Sequence, residues 1–436
     1  MPPHLGEYGV ETLVLPGWAR CLKESLMSRS DPKHSIVSQG RRRFLQLGAA
    51  LSSALVACRP SSNLPSDQPS FLGGPVSEYG TRSSLERVTR TFRSSLSREN
   101  ASSRTPLHAL EGIITPASLH FERHHSGVPT IDPSTHKLLI HGLVNRPLLF
   151  TVDELKRFPS HSQIHFVECS GNGGTHWRQA PDISLQNLHG LTSCSEWTGV
   201  RLSVLLEQTG VQTGATWLIA EGADACKMAR SVPIEKALDD VMVAYAQNGE
   251  ALRPEQGYPI RLFVPGWEGN IHVKWLRRIK LVDQPYMTKD ETSKYTDMLT
   301  GGKARQFSFM MEAKSLITRP SGGMTLSNRG YHEITGIAWS GQGKITRVEI
   351  STDAGATWRE AALQNPVLPM AYTRFRFGWN WTGESTVLQS RCTDETGYVQ
   401  PTRQALIDAR GPSYYHYNGI QSWAIHSDGS IHNVHV

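Results

Sequence analysis

Cysteine is scarce in this chain: six in 436 residues, at positions 21, 58, 169, 194, 226 and 392. No two form C-x-x-C, which excludes a thioredoxin-type motif and a paired zinc knuckle, and no C-x-x-C-H is present to attach haem covalently. The four beyond residue 58 are too few and too scattered to staple a chain of this length; a Cys194–Cys226 disulfide is the one pairing left open. No stretch reaches the ~18–20 consecutive apolar residues of a membrane span. Excess charge is also small. The formal net charge is +6, and removing residues 1–57, with seven Lys/Arg and four Asp/Glu, leaves +3. That balance, with no basic run interleaved with aromatics, argues against nucleic acid as a partner.

A hydrophobic fraction of 38% and eleven tryptophans can build real cores, and the length suits two domains plus extras. Residues 40–58, G-R-R-R-F-L-Q-L-G-A-A-L-S-S-A-L-V-A-C, have a basic start and a short uncharged apolar region. Arg41-Arg42-x-Phe44-Leu45 resembles a twin-arginine export signal, so residues 1–58 read as a leader and the periplasm as the destination. Leu55-Val56-Ala57-Cys58 fits either lipid anchoring at Cys58 or ordinary cleavage. Residues 59–105, rich in Ser, Pro, Gly and Arg, read as a linker or arm with a short helix near 84–92.

The fold class expected is α+β. A mixed domain spans 106–295, an immunoglobulin-like β-sandwich 300–412, and a tail packed back on the core 413–436. Thr151 and Glu154 have capping-box spacing. Leu202, Leu205 and Leu206 recur at helical spacing before Gly210, and Pro233 opens a helix. Strands are expected at 136–143, 217–220, 260–264 and 271–275. The sandwich strands are expected at 334–340, 344–351, 357–361, 372–377, 386–393 and 404–409.

The stretch 164–174, I-H-F-V-E-C-S-G-N-G-G, is a strand pattern breaking into a glycine-rich loop. Cys169 at its mouth is either a small buried hydrophobe or a thiolate nucleophile or metal ligand. Polar residues recur where a core would be apolar: Arg123, His124 and His125; Tyr245 in V-A-Y-A-Q-N-G; Arg261 in P-I-R-L-F-V-P-G; His272 and Lys274 around Val273 in I-H-V-K-W-L.

These motifs, with H-F-E-R-H-H, V-E-C-S-G-N-G, W-T-G-V-R-L and S-T-D-A-G-A-T-W, occur together in an order that resembles the sulfite oxidase family of molybdopterin enzymes, from about residue 106 to 436. The resemblance implies a molybdenum centre with a pyranopterin dithiolene, and Cys169 as the single protein ligand to the metal. Arg123, His124, His125, Asp224, Gln256, Arg261, His272, Val273 and Lys274 would hold the pterin and its phosphate. Tyr245 would be the active-site tyrosine and Trp197 would stand near the substrate. Arg374, preferred over Arg376 on the same strand face, would reach in from the β-sandwich, the family's dimerisation domain. Arginines often follow the C-x-G-N loop in the family. Gly173 and Gly174 stand there in this chain, which implies a more open, less positive pocket. The segment G-G-K-A-R-Q-F-S-F-M-M-E-A-K-S-L-I-T-R-P-S-G-G looks most like the branch that oxidises sulfane sulfur carried on a partner's cysteine. The activity implied is oxidation of that sulfur or of free sulfite, with electrons passing to a separate c-type cytochrome. The assembly implied is a homodimer or heterotetramer core; a sulfoxide reductase is the rival with the reverse chemistry.

Overall fold

A computed structural model describes residues 75–94, 97–178, 182–299, 301–411 and 415–436. The leader, its twin-arginine motif, Cys58 and the first part of the linker lie outside the described residues. Residues 82–436 form one compact unit. No helix among the described residues is long and apolar enough to cross a membrane.

Thr91–Ser94 (β1), Ala101–Arg104 (β2) and Glu122–Arg123 (β3) make a small antiparallel sheet. The helix expected near 84–92 is instead a turn and extended chain. The Gln186 amide donating to Thr89 O at 3.0 Å, and Arg90 pairing with Glu122, hold that chain straight.

Then follow Lys137–Gly142 (β4), Leu148–Thr151 (β5), His161–Glu168 (β6), Thr192–Arg201 (β7), Trp217–Gly222 (β8), Ala229–Pro233 (β9), Met242–Gln247 (β10), Glu250–Ala251 (β11), Arg261–Phe263 (β12) and Leu276–Val282 (β13). They sort into two sheets, β5-β4-β13-β8-β9 and β11-β10-β7-β6, with β12 beside β10. Only β4 and β13 run parallel among these pairs, so no regular βαβ alternation arises and the class is α+β. Short helices sit between: Val152–Leu155 (α1), Leu185–His189 (α2), Leu202–Thr209 (α3), Ile234–Asp239 (α4) and Lys289–Ser293 (α5). Both halves of the Thr151/Glu154 capping box form at α1. α3 ends at Gly210, in the left-handed region at φ +67°. Leu138, Ile140, Leu202, Leu205, Leu206 and Ile279 are fully buried in the shared core, each worth roughly 1.5–3 kcal/mol of burial.

The strand expected at 271–275 does not form. A single 3₁₀ turn at Gly269–Ile271 leads into an irregular bend, with Trp275 at φ +53°. The alternation of I-H-V-K-W mimics a strand, but its polar members are turned into a cleft rather than onto a sheet face.

A hairpin of Thr296–Met298 (β14) and Ala304–Gln306 (β15) precedes the β-rich second part. That part contains Lys314–Arg319 (β16), Gly330–Trp339 (β17), Ile345–Ser351 (β18), Arg359–Glu360 (β19), Ala362–Gln364 (β20), Thr373–Trp381 (β21), Thr386–Asp394 (β22), Ser422–Ile425 (β23) and Ile431–Val434 (β24). Its two sheets, β16-β17-β21-β20 and β19-β18-β22-β23-β24, enclose Trp339, Phe375, Leu388 and Trp423. The C-terminal segment supplies β23 and β24, so it completes the second sheet. Residues 404–409, expected as a strand, lie in a helix, Arg403–Arg410 (α6). The Thr402 hydroxyl caps it by accepting from Ala405 N at 3.2 Å, and Gln, Ala and Leu favour it. Cys194 and Cys226 are both free thiols, so no disulfide joins them.

Candidate active site

β6 carries its C-terminal end out of the core with Phe166, Val167 and Glu168 buried. The Glu168 carboxylate accepts from Lys314 Nζ at 2.8 Å, Trp339 Nε1 at 2.7 Å and Asn172 Nδ2 at 2.9 Å. Two of these donors belong to the second part of the chain, so that part fixes the strand end on which Cys169 sits. Asn172 also accepts from Leu191 N, and Cys169 N donates to Leu191 O at 2.9 Å. Gly173 is in the left-handed region at φ +76°, and a Cβ there would stand 2.9 Å from the His189 ring. Only glycine fits that turn.

Cys169 opens into a cleft of about 730 Å³, open solvent at its mouth included, lined also by Arg123, His124, His125, Asp224, Gln256, Arg261, His272, Val273 and Lys274. All ten residues that the family resemblance assigns to the cofactor therefore meet in one place.

Burial pushes the Cys169 thiol pKa up, while the Gly171 amide, Arg123 and Arg104 pull it down. A metal cation would remove that proton outright. In the same cleft, Arg261 is buried and Lys274 partly buried, and neither forms an ion pair with a carboxylate among the described residues. Arg261 donates to the carbonyls of Gln256 and His272, both at 3.1 Å, and its Nε has no partner. Lys274 donates to the carbonyls of Arg123 and Glu255 and lies 2.9 Å from His124 Nδ1. Burial lowers the Arg261 pKa to about 9. Burial, with Arg261, lowers Lys274 to about 7. Two such cations call for an anion, and a phosphate-bearing ligand supplies it. Asp224 accepts from Met228 N at 3.1 Å and from the Cys226 thiol at 2.8 Å. Gln256 is tied to Phe121 O at 2.9 Å. Burial lowers His272 well below its ordinary value and holds His125 at about 4, so both imidazoles are neutral. Gly269 passes so close to Cys169 that a Cβ would lie 2.8 Å from Glu168 O. Among the described residues no group of three or more His, Cys, Asp and Glu side chains converges as a metal site. A group that brings its own donors to the metal and offers a phosphate to the cations fits this cleft.

Four expected residues stand elsewhere. Tyr245 falls at a bulge where the β10–β7 ladder skips from Ala244 to Ala246. Its ring lines a separate cavity with Asp153, Lys156 and Tyr258. Trp197 is fully buried below the cleft, with the Arg261 guanidinium 4.9 Å from its ring, so it supports that cation and does not line the cleft. Arg374 turns its guanidinium to the carbonyls of Leu110 and Gly112, beside a different small cavity. Arg376 is half-exposed and pairs with Glu333 at 3.6 Å.

The tyrosine that does line the cleft is Tyr295. It is nearly fully buried, and burial raises its hydroxyl pKa well above the ordinary value, so it stays protonated. Its oxygen is 3.4 Å from His125 Nε2. Arg230 stands 4.8 Å over its ring and pairs with Glu268 at 3.5 Å and Glu291 at 3.4 Å. Glu268 also pairs with His416 at 3.1 Å and accepts from Asn270, which reaches Ser170 Oγ at 3.2 Å. This buried network ties Tyr295, the C-terminal segment and the Cys169 loop together. The T-S-K-Y-T-D context of Tyr295 has no periodicity or turn signature by which sequence reasoning could single it out.

Residues 125–289 match the oxidoreductase molybdopterin binding domain family, and residues 305–422 match the Mo-co oxidoreductase dimerisation domain family. The chain is 33% identical over 347 residues to the NADH nitrate reductase of Solanum lycopersicum, covering 69% of this chain and 38% of that protein. It is 30% identical over 351 residues to the mitochondrial sulfite oxidase of Rattus norvegicus, covering 75% of this chain and 62% of that protein. The chain thus spans less than two thirds of either relative. Among solved structures, the sulfane dehydrogenase SoxCD from Paracoccus pantotrophus matches with a TM-score of 0.82 and 46% identity, covering 84% of this chain and 96% of that chain.

Proposed function

The chain belongs to the sulfite oxidase family of molybdopterin oxidoreductases, and from that premise we propose that it oxidises sulfane sulfur held on a carrier protein's cysteine. The cleft carries this reading: the Cys169 thiol, the Arg261 and Lys274 cations and the protonated Tyr295 all line one space. The sulfur substrate is supported by the name and the 46% identity of the solved neighbour.

When bound, the molybdenum cofactor supplies two-electron oxo-transfer chemistry. Cys169 is the thiolate ligand to the metal. Arg261 and Lys274 hold the phosphate, and Asp224, Gln256, His124, His272 and the Val273 backbone hold the pterin. Arg123 faces the thiol end, where its charge offsets that of an oxyanion. Tyr295, kept protonated by burial, donates a hydrogen bond toward the reacting oxygen. Phe121, Val167, Val273 and Trp275 wall the cleft against water, which strengthens each of these electrostatic contacts. Overall, the sulfur gains an oxygen from water, two protons pass to solvent, and two electrons leave. A separate c-type cytochrome subunit takes the electrons. The β-rich second part forms the core of a homodimer or heterotetramer. The twin-arginine leader sends the folded protein to the periplasm, with Cys58 as a lipid anchor site where processing leaves it N-terminal.

The test compares a persulfidated carrier protein with free sulfite under cytochrome c reduction. The carrier is expected to turn over faster. Faster turnover of free sulfite would replace this substrate with sulfite itself.

A further inference from the structure

We propose that Glu122, pinned by Arg90 of the N-terminal arm, is a positioning residue of the cleft: acting through His124, it holds the Lys274 ammonium in place for the phosphate of the cofactor. Both residues lie before the matched family domain, which begins at residue 125, and their role rests on the reading of the cleft as a molybdopterin site given above.

Lys274 is the starting point. Its Nζ donates to Glu255 O at 3.1 Å, to Arg123 O at 3.3 Å and to His124 Nδ1 at 2.9 Å. An ammonium has three N–H groups, so all of them go to uncharged acceptors and the positive charge itself is left uncompensated. The bond to Arg123 O is the longest and the most readily exchanged for a phosphate oxygen. Of the three acceptors only His124 is a side chain, so only there can a further residue set the geometry. Burial, with Lys274 itself, pushes the His124 pKa below its ordinary value, so the ring is neutral and carries one N–H. Nδ1 accepts from Lys274, and that N–H therefore sits on Nε2, which donates to Glu122 Oε2 at 2.9 Å. The carboxylate thereby selects the tautomer that can receive the ammonium. The opposite tautomer would turn an N–H against Nζ.

Glu122 is itself held. Burial opposes its charge, but the His124 hydrogen bond and Arg90 keep its carboxyl below the ordinary range. Arg90 pairs with Glu122, donates to His120 O at 3.0 Å and stands 3.9 Å from Glu255 Oε1. It thus ties together the two segments whose groups hold Lys274, residues 122–124 and the Pro254–Gln256 turn. A pair of Arg90 and Glu122 alone would be a strap for the arm. What makes it part of the site is the imidazole between Glu122 and Lys274, only 7% exposed, whose main chain is fixed by His124 N donating to Ala101 O at 3.0 Å. A carboxylate behind an imidazole is the arrangement by which outer residues orient the groups that meet a bound metal or ligand.

The experiment titrates molybdopterin into the cofactor-free protein at pH 7, with fluorescence as the readout, for wild type, Glu122→Gln, Arg90→Met, Lys274→Met and the double variant Glu122→Gln with Lys274→Met; Tm is measured on each. Glu122→Gln is expected to raise Kd by about tenfold or more, because an amide donates as well as accepts and no longer selects the tautomer. Arg90→Met should raise Kd in the same direction by less. In the Lys274→Met background Glu122→Gln should cost no further affinity, since its route to the ligand is gone. A merely structural role would cost the same in both backgrounds. If Glu122→Gln does not fold, Arg90→Met and its double variant with Lys274→Met carry the test. A Kd within about twofold of wild type in both Glu122→Gln and Arg90→Met would overturn the proposal, as would an equal loss with and without Lys274. A protein whose molybdopterin affinity follows this pattern yet oxidises no sulfur would sink the functional reading and leave this inference standing.

Discussion

Tyr295 and Tyr245 are both tyrosines set among apolar neighbours, yet only one can act at Cys169. Tyr295 is turned to the cleft by Arg230 above its ring, whereas the bulge in β10 sends Tyr245 to another cavity. Tyr295→Phe should lower kcat by up to about a hundredfold, while Tyr245→Phe should leave kcat within about twofold; parallel steady-state assays of the two variants check this. Equal effects would return the role to Tyr245. Lys274 makes a second prediction. Its pKa of about 7 in the cofactor-free protein means it is charged below that pH and neutral above it. Binding a phosphate requires the charged form, so above pH 7 cofactor insertion must take up a proton. Affinity of the apoprotein for molybdopterin should fall by up to about tenfold per pH unit above 7, and Lys274→Met should flatten that slope. Residues inside the motifs were legible through the family resemblance that the motifs carry together; singly, each also suits an ordinary core or surface position. Tyr295 was not, since a distant guanidinium places it and no local pattern reports it.

Among the elements, β6 and the bend at 269–275 do most to build the site. β6 could be read from its alternation and the glycines after it. What holds its end could not. Glu168 is neutralised by Lys314 from β16, 146 residues away in sequence, and both side chains are 1% exposed. Lys314, and not Arg374, is thus the cation that the second part sends to the Cys169 strand. Removing one partner of a buried pair leaves the other uncompensated, so Lys314→Met should destabilise the protein by about 3–5 kcal/mol. Denaturant unfolding measures this, and adding Glu168→Gln should restore much of the loss. A Lys314→Met protein as stable as wild type would show that the pair does not hold the strand. The bend at 269–275 misled in the opposite way. Its period-2 alternation is that of a strand, but hydrogen bonds from Val273 N to Ile271 O and from Leu262 N to Val273 O fold it into a loop that delivers His272 and Lys274 to the cleft. Residues 404–409 have the same weakness, since a short run with one buried leucine is decided by the Thr402 cap and not by periodicity.

For the whole molecule, composition and the order of the motifs were enough for an α+β part followed by a β-rich part. Their packing into one unit was not visible, because it depends on buried polar contacts across the two: Lys314 and Trp339 on Glu168, and His416 on Glu268. The site is thereby a property of the entire unit and not of the first part alone. Everything proposed for it converges on Cys169 as the molybdenum ligand. X-ray absorption at the molybdenum edge tests that directly, on the purified protein and on Cys169→Ser, with metal content and Tm measured on the same samples. The account predicts bound molybdenum with one more sulfur neighbour in the wild type than in Cys169→Ser, and a fold that survives the substitution. A folded wild-type protein without molybdenum, or an identical sulfur shell in the two proteins, would contradict it.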